Sequence, residues 1–418
     1  MKKRNVIAKE VLVKRSRVWP LGTSTVLLGI CILSLLVSNA AAQPLPGANG
    51  NDSDKDDKLD CGSLPILRVP SAQYPTIQSA VDAVPVGGAT VKIAPGVYTE
   101  SVEVNGSNVR LVGSGAGRTQ LLALSGAAPG ISFGAGASGV VEAITIAGGR
   151  SGIEGAFIGE PPPPPSMCGE PAGLGQPPQA GGPSIAIRQA VIARSGRGIL
   201  GSFSSLALQG VTIANTVWNG MSILAAASLQ ARNVVVEKAG GVGILVENLG
   251  FGTGFVFDAV APNDNKCGGI EVDGNATPVT IRSSFFFNNG RAGIFINNSF
   301  QVGTAPETIE ETYIVGTQPD PFTGALGDGI DAVLSTVSVN NWGIQSSARA
   351  GIGNFGSTVN VANVLFDCNA IDLDGEFAKG VSYHYDLSGG GDVCECNGGV
   401  GQCQVLSSNL APPMAVQS

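Results

Sequence analysis

Glycine followed by an apolar residue recurs through the middle of this chain at a nearly constant interval, and this repeat restricts the possible folds more than any other feature. The spacings between successive pairs are 22, 23, 26, 24, 36 and 22 residues. A unit of about 22 residues is too short to bury its own apolar face, so successive units must stack and share one core. The sequence therefore predicts a solenoid with insertions in some turns. The glycines are Gly198, Gly220, Gly243, Gly269, Gly293, Gly329 and Gly351.

Strand-like apolar runs lie between these pairs, for example at 211–213, 234–236 and 279–281. Glycine occupies 60 of 418 positions, which disfavours helices. Stacked strands pair in parallel at about 4.8 Å per turn, and asparagines at equivalent turns can form ladders. Leucine-rich repeats, the other repeat fold considered, would require a Leu-x-x-Leu-x-Leu signature that is absent. We expect an all-β fold, a single right-handed parallel β-helix over 66–380.

One short amphipathic helix is predicted before the strands. Ile77, Ala80, Val81 and Val84 follow Pro75 at the i, i+3, i+4 and i+7 spacing of a single helix face. A helix in this position would cover the open N-terminal end of the solenoid. We therefore expect a short N-terminal capping helix.

The N-terminus has the pattern of a secretory signal. Seven basic residues precede the apolar run 26–37, and three alanines at 40–42 offer a cleavage site. An uncleaved membrane anchor is the alternative, but a run of about 12 residues is shorter than the ~20 that span a bilayer. We predict a signal peptide at 1–42, an acidic flexible linker at 43–65, and no stable membrane span after cleavage.

Loss of the signal makes the chain strongly acidic. The remaining residues carry 17 basic and 31 acidic groups, so the net charge changes from −8 to −14. Nucleic-acid affinity depends mainly on Lys and Arg, so no nucleic-acid partner is expected. We expect a secreted protein, extracellular or on the cell surface, with the periplasm as an alternative.

Two further segments stand apart from the repeats. The Pro-rich insertion at 159–183 cannot continue a central strand and is either a recognition lid or an inert insertion. The segment 381–418 contains Cys394, Cys396 and Cys403 and is predicted to be a C-terminal cap or tail. Its cysteines fit disulfides in an oxidising compartment better than the alternative, a thiolate site for zinc or copper(I).

Strand periodicity places several acidic residues on one outer face of the predicted solenoid. If the apolar residue of each pair points inward, the first and third residues after it point outward. Glu247 and Asp273 then lie on adjacent turns, with Glu271 beside them and Asp331 two turns from Glu271. Repulsion within such a group raises a carboxyl pKa or favours a bound cation.

These acids suggest two kinds of site. A neutral carboxylic acid beside an ionised one can cleave a glycosidic bond, so the candidate catalytic residues are Glu247, Glu271, Asp273, Asp331 and Arg291. Alternatively, Glu247 and Asp273 bind calcium, which bridges to an acidic sugar; no other cofactor is indicated. The alternative interpretation is that these acids have no catalytic or binding role and only form the solvated outer face of an acidic solenoid.

Three other residues are candidates for substrate binding. Asn297 falls on the same outer face, and Trp218 and Trp342 each lie within two residues of a glycine that opens a strand. Exposed aromatic rings can stack on sugars, although either ring could instead pack against a turn. The only histidine, His384, is expected at the surface or in the cap, and a single histidine excludes a site with two imidazoles.

The segment 74–115 resembles the opening of pectin-lyase-like β-helix proteins, and pectinesterases in particular. The likeness is carried by Tyr-Pro-Thr-Ile-Gln at 74–78, Ala-Val-Asp-Ala-Val-Pro at 80–85, Val-Lys-Ile-Ala-Pro-Gly-Val-Tyr at 91–98 and Leu-Val-Gly-Ser-Gly at 111–115. It implies a right-handed β-helix, usually extracellular and often acting on acidic polysaccharides. In β-helix lyases an arginine serves as a base or as an anchor for a carboxylate, and the resemblance implies this role for Arg291.

The esterase chemistry does not carry over, because the Gln-Asp-Thr and Asp-Phe-Ile-Phe-Gly motifs are missing, as are the signatures of polygalacturonases and alginate epimerases. Two hypotheses remain. The first is a secreted protein that binds a polysaccharide or cell-surface glycan along one sheet face, with cleavage or modification as a further step by lyase, hydrolase or esterase chemistry. The second is a noncatalytic structural or adhesive solenoid.

Overall fold

The computed structural model describes residues 64–106, 108–155, 182–202, 204–226, 228–247, 254–274, 278–297, 306–396, 399–401 and 403–412. The predicted signal peptide, nearly all of the predicted linker, and 159–181 of the Pro-rich insertion lie outside these residues. No helix within the described ranges is long and apolar enough to cross a membrane.

The described residues form strands almost throughout. In chain order the strands are β1 (Ile66–Val69), β2 (Ala89–Ile93), β3 (Gly96–Thr99), β4 (Val102–Val104), β5 (Asn108–Val112), β6 (Thr119–Leu122), β7 (Ile131–Phe133), β8 (Ser138–Glu142), β9 (Thr145–Ala147), β10 (Ser151–Gly155), β11 (Ser184–Arg188), β12 (Val191–Ala193), β13 (Arg197–Ser202), β14 (Ser205–Ala214), β15 (Met221–Leu224), β16 (Ser228–Glu237), β17 (Val242–Glu247), β18 (Phe255–Asn263), β19 (Gly268–Asp273), β20 (Val279–Arg282), β21 (Phe285–Phe287), β22 (Ala292–Asn297), β23 (Glu307–Glu310), β24 (Tyr313–Val315), β25 (Asp328–Val333), β26 (Thr336–Gln345), β27 (Ala350–Phe355), β28 (Thr358–Asp367), β29 (Ile371–Glu376), β30 (His384–Asp386), β31 (Val393–Cys396), β32 (Gly399–Gly401) and β33 (Val405–Leu406).

These strands form two long sheets that wind around one core. The first, which we call the twelve-stranded sheet, takes one strand from each turn, in the order β4, β7, β10, β13, β15, β17, β19, β22, β25, β27, β29 and β33. The second sheet contains the other 21 strands, so most turns give it either two short strands or one long bent strand. All neighbours in the twelve-stranded sheet run parallel. The predicted parallel β-helix is confirmed.

The apolar residue of each repeat points into the core. Ile244, Ile270, Ile294 and Ile330 stack in register on neighbouring strands, and each is at most 1% exposed. They belong to one hydrophobic cluster that extends from the first described strand to the last turns. Stacking therefore supplies the shared core that no single turn could form.

The repeated glycine is required by the close approach of neighbouring turns. A Cβ atom at Gly293 would lie 2.6 Å from the carbonyl oxygen of Gly329 and 2.6 Å from Cγ2 of Ile314. The equivalent position at Gly243 would lie 2.7 Å from the carbonyl oxygen of Gly269. Any side chain here would collide with the backbone of the next turn, which explains why the repeat keeps glycine.

Asparagine side chains bridge successive turns, as the sequence predicted. The Asn265 amide donates to Oδ1 of Asn289 at 3.0 Å, and the Asn289 amide donates to the carbonyl of Pro262 at 2.8 Å. Asn369 accepts a bond from the amide of Ser347 at 3.0 Å. These side chains satisfy backbone groups that the turns would otherwise leave unpaired in the interior.

The predicted helix is present as α1 (Ile77–Asp82), which packs against β1, β2 and β4. Thr76 caps it, because its hydroxyl accepts from the amide of Ser79 at 3.1 Å. The carboxylate of Glu100 accepts from the first two helical amides at 3.0 and 2.9 Å. Ile77, Ala80 and Val81 are buried, as their spacing predicted.

The cysteines near the C-terminal end form disulfides. Cys368 bonds to Cys396 and Cys394 bonds to Cys403, so the alternative thiolate metal site in this segment is wrong. β30 and β31 pair in parallel with β28, and β32 folds back antiparallel to β31. The region thus adds a further turn to the second sheet.

Candidate functional site

Carboxyl groups line the outer face of the twelve-stranded sheet from β17 to β29, and we call seven of them the acidic row. Its members are Glu247, Glu271, Asp273, Asp328, Asp331, Asp374 and Glu376. Glu247 pairs in register with Asp273, and Glu271 is separated from Asp331 only by Phe295 on the strand between them. The predicted placement of the four acids identified from the sequence is therefore correct.

The interpretation of these acids as a solvated face is wrong. Glu247 is 6% exposed, Glu271 is 2% exposed and Asp331 is fully buried. A second apolar cluster, which includes Phe295 and Phe355, packs on this outer face instead of water. Alternation along a strand shows which way a side chain points, but it cannot show what later parts of the chain pack over it.

Glu247 and Asp273 form the more accessible end of the row. Asp273 is half-buried, and its Oδ1 accepts a hydrogen bond from the Asn297 amide at 2.8 Å. Burial raises the pKa of Glu247 to about 7, helped by the negative charges of Asp273 and Glu271. Burial also raises the pKa of Asp273 to about 6, against the opposing hydrogen bond from Asn297. Near neutral pH, Glu247 can donate a proton while Asp273 is mostly ionised.

Arg291 connects the two ends of the row. Its Nη1 lies 3.8 Å from Oε2 of Glu271, and its guanidinium carbon lies 5.5 Å from the centre of the Phe295 ring. Its backbone carbonyl accepts from the amides of Gly327 and Asp328. Arg291 therefore neutralises one acid directly and positions the strand that carries the next two.

Arg349 holds the other end, which the sequence analysis missed. Its Nε donates to both carboxyl oxygens of Asp328 at 2.8 Å, and its Nη2 lies 3.6 Å from Oδ1 of Asp331. The signal was available, because the string Arg-Ala-Gly-Ile occurs both at 291–294 and at 349–352. Aligning the two strings would have given Arg349 the place in its turn that Arg291 has in its own.

The two candidate tryptophans, Trp218 and Trp342, lie in different parts of the fold. Trp342 lies on β26 of the second sheet, is 47% exposed, and meets Tyr313 edge-on at 6.3 Å between ring centres. Trp218 precedes β15, with the guanidinium carbon of Arg197 5.0 Å from its ring centre. Trp342 therefore cannot contact a ligand that lies only on the acidic row. His384 is exposed on β30, as predicted.

A calcium site has limited support from the protein side chains. Among the described residues, no group of three or more His, Cys, Asp or Glu side chains is arranged to hold a metal ion. Calcium takes six to eight oxygen ligands. Glu247 and Asp273 could supply only part of such a shell, and a ligand would have to supply the rest.

No protein-family model matches the sequence, and a comparison with characterised proteins found no similar sequence. Among solved structures, the catalytic unit of a thermostable GH87 α-1,3-glucanase from Streptomyces thermodiastaticus strain HF3-3 superposes with a TM-score of 0.51 and 15% identity. The match covers 79% of this chain and 69% of that one. The fold that the two proteins share is a parallel β-helix. The parallel β-helix that the resemblance of 74–115 implied is thus confirmed.

Two epimerases show a weaker likeness to this parallel β-helix. A mutant of the periplasmic alginate epimerase AlgG has a TM-score of 0.49 and 11% identity. The A-module of the Azotobacter vinelandii mannuronan C-5 epimerase AlgE4 has a TM-score of 0.49 and 15% identity. Each match covers 77% of this chain and 83% of the other.

The raised pKa values predict that this β-helix loses stability as pH rises. Between about pH 4 and 7 the folded chain keeps protons on Glu247 and Asp273 that the unfolded chain releases. The unfolding free energy should therefore fall through this window, by up to about 6 kcal/mol at about 1.4 kcal/mol per unit of pKa shift, and these groups should add no further change above it.

Glu247→Gln removes one of these ionisations, so we expect it to raise the Tm at pH 8 and to flatten the fall between pH 4 and 7. Thermal unfolding at closely spaced pH values measures both effects. Asp82→Asn, which changes an exposed acid on α1, is the matched control and should keep the wild-type profile. If the Tm of Glu247→Gln varies with pH in parallel with the Tm of the wild type, the raised pKa of Glu247 is contradicted.

Proposed function

We propose that this protein is an exported, carbohydrate-active β-helix that binds an extended polysaccharide along the acidic row. The observation that carries the proposal is the register pairing of Glu247 with Asp273 on the outer face of the twelve-stranded sheet. Adjacent strands are about 4.8 Å apart, so the two carboxyl groups stand at a spacing suited to a single glycosidic bond.

The two carboxyl groups support a division of roles in bond cleavage. Glu247, with its pKa near 7, is the proposed general acid that protonates the leaving oxygen. Asp273, held by the Asn297 amide, is the proposed carboxylate that attacks or stabilises the sugar carbon. Asn297 is a positioning residue in this scheme, and Glu271 with Arg291 forms the neighbouring charged pair.

The charge of the face favours a neutral polysaccharide. Five further carboxyl groups share the row with Glu247 and Asp273. The two arginines of the row, Arg291 and Arg349, already pair with Glu271, Asp328 and Asp331, so a polyanionic sugar would meet an excess of negative charge. The α-1,3-glucanase that shares the fold is named for a neutral glucan. We expect an acidic polysaccharide to bind only with calcium as a bridge, and a neutral one to bind without it.

Export fits the disulfides, because disulfides persist in oxidising compartments. The two bonds, Cys368–Cys396 and Cys394–Cys403, lie in the last turns of the solenoid. Together with the signal-like N-terminus, they support a location outside the cytoplasm.

The purified protein can be tested against soluble α-1,3-gluco-oligosaccharides, polygalacturonate and alginate, each with and without calcium. Binding, new reducing ends, released ester groups and unsaturated products are scored. The double variant Glu247→Gln, Asp273→Asn should lower product release by about 100-fold or more, because acid–base groups contribute about 10²- to 10⁴-fold.

Asp258→Asn provides the matched control. Asp258 lies on β18 of the second sheet, where it pairs with Arg282 at 3.0 Å, so its loss should leave binding and turnover unchanged. If no polysaccharide binds, or if the double variant keeps the wild-type rate, the proposal fails. Binding without any product would favour the adhesive solenoid, which is supported by the burial of most of the row.

A further inference from the structure

A glycine leaves a notch in the outer face between two buried carboxyl groups. Asp331, Gly353 and Asp374 are register partners on β25, β27 and β29. A Cβ atom at Gly353 would lie 2.8 Å from Oδ1 of Asp331 and 2.9 Å from Cε2 of Phe355, so these two side chains use the space that a side chain at 353 would fill. Asp374 stands on the far side of the notch, roughly 10 Å away along the sheet.

Neither acid has the hydrogen bonds that usually accompany burial. Both side chains are fully buried, and within the described residues none of their four carboxyl oxygens has a hydrogen-bond partner. The Arg349 contact to Asp331 at 3.6 Å is an ion pair beyond hydrogen-bond reach. Ser408 comes close to Asp374, and its hydroxyl and amide oppose the rise that burial causes in the pKa of that carboxyl group. Buried polar groups without partners are costly, and they are common where a ligand is recognised.

Residues 405–412, which we call the cover, lie across this notch. They begin with β33, which pairs with β29. The carboxylate of Glu376 accepts from the amides of Ser408 at 2.6 Å and Leu410 at 3.2 Å. Arg349 donates to the carbonyl of Ala411 at 2.9 Å, and Leu410 packs on the cluster that contains Phe355.

Apart from Ser408 beside Asp374, these contacts hold the cover at the rim of the notch. Within the cover, only β33 pairs with a neighbouring strand, and β33 is two residues long. Val405 and Leu410 are the half-buried residues of the cover, and its other residues are exposed. A segment with few buried apolar contacts opens at a small free-energy cost.

We propose that the cover is displaceable and that the notch of Asp331, Gly353 and Asp374 beneath it is a second binding position for a neutral polysaccharide. The inference rests on the proposed function, because the ligand is a further stretch of the chain bound at Glu247 and Asp273. Sugar hydroxyls would donate to the carboxyl oxygens that have no partner among the described residues. Phe355, released from Leu410, would offer an apolar surface to a sugar ring.

The geometry of the row supports one continuous ligand. Glu247 and Asp374 both face outward on the same sheet, with five strand spacings between β17 and β29, or roughly 24 Å. A polysaccharide that runs parallel to the solenoid axis would pass Glu247 and Asp273 first and then the notch. The cover therefore blocks the far half of the proposed binding face.

The test uses carbodiimide with glycine ethyl ester, which modifies accessible carboxyl groups, read out by mass spectrometry. Three chains are compared with the wild type: one that stops after Cys403 and keeps both disulfides, full-length Leu410→Asp, and the control Gln404→Ala. Each is labelled alone and with saturating soluble α-1,3-gluco-oligosaccharides. Circular dichroism and Tm establish that each chain is folded. If the shortened chain does not fold, full-length Leu410→Asp provides the test of an opened cover.

We expect Asp331 and Asp374 to be labelled strongly in the shortened chain and in Leu410→Asp, and weakly in the wild type and Gln404→Ala. The oligosaccharide should protect both acids in the opened chains without protecting Asp258 on the other sheet. Its dissociation constant should fall about 10-fold when the cover is removed.

Three results would overturn the inference in distinguishable ways. Unchanged labelling in both opened chains would show that the cover does not seal the notch. Strong labelling with no protection, while wild-type chain still binds the oligosaccharide, would remove the second position and leave the proposed function intact. Strong labelling with no binding by any chain would remove the proposed function and the second position together.

Discussion

Arg349→Met should lower the unfolding free energy by about 3–5 kcal/mol at pH 8, the cost of leaving buried charges without a partner. Arg349 makes a two-pronged contact with Asp328 and an ion pair with Asp331, and both acids are fully buried. Methionine keeps much of the length and apolar volume of the side chain, so the loss reports mainly the missing charge. Denaturant unfolding monitored by circular dichroism gives the free energy directly.

The effect should also depend on pH. The pKa of Asp331 is raised well above its usual range, first by burial and then by Asp328, against the opposing charge of Arg349. Loss of Arg349 removes a charge that opposes the protonation of Asp331, so the deficit of Arg349→Met should shrink towards pH 4. Adding Asp328→Asn to Arg349→Met should recover part of the loss at pH 8.

Arg232→Met is the matched control for this prediction. Arg232 lies 3.7 Å from Asp258, but its side chain is largely exposed, and surface pairs contribute about 0–1 kcal/mol. A loss for Arg349→Met no greater than that for Arg232→Met would mean that the far end of the acidic row is not held by this arginine.

Gly293→Ala should be strongly destabilising for a change of one methyl group, lowering the unfolding free energy by about 1–3 kcal/mol. The new Cβ would lie 2.6 Å from the carbonyl oxygen of Gly329 and 2.6 Å from Ile314 in the core. Neither neighbour is the free end of a flexible side chain, so two turns must move apart. Since each turn is stabilised by its neighbours, the disturbance should lower the Tm of the whole solenoid.

Gly126→Ala is the appropriate comparison, because a Cβ at Gly126 would meet no atom within 4 Å and its backbone is not in the left-handed region. It should leave the Tm unchanged or raise it slightly by restricting the unfolded chain. Equal Tm values for the two variants would show that close packing of turns does not explain the repeated glycine.

Part of the candidate site follows from the amino-acid sequence. Glu247, Glu271, Asp273 and Asp331 can be placed on one face because strand alternation and a constant repeat determine register. Asp328 cannot, because it lies two residues before Ile330, where alternation alone predicts an inward side chain. The only indication of Arg349 in the sequence is that the string Arg-Ala-Gly-Ile, which begins at Arg291, occurs again beginning at Arg349.

The sequence alone determined that this protein is a parallel β-helix with a capping helix, because a short repeat of glycine and apolar residues can bury its apolar face only by stacking. Only the tertiary structure decided that the acids on its outer face are buried. At the Asp374 end of the acidic row, residues 405–412 contribute to this burial, because they return to the sheet and bond to Glu376 and Arg349 far away in sequence. No local pattern encodes such a contact, because it joins segments whose spacing follows no repeat.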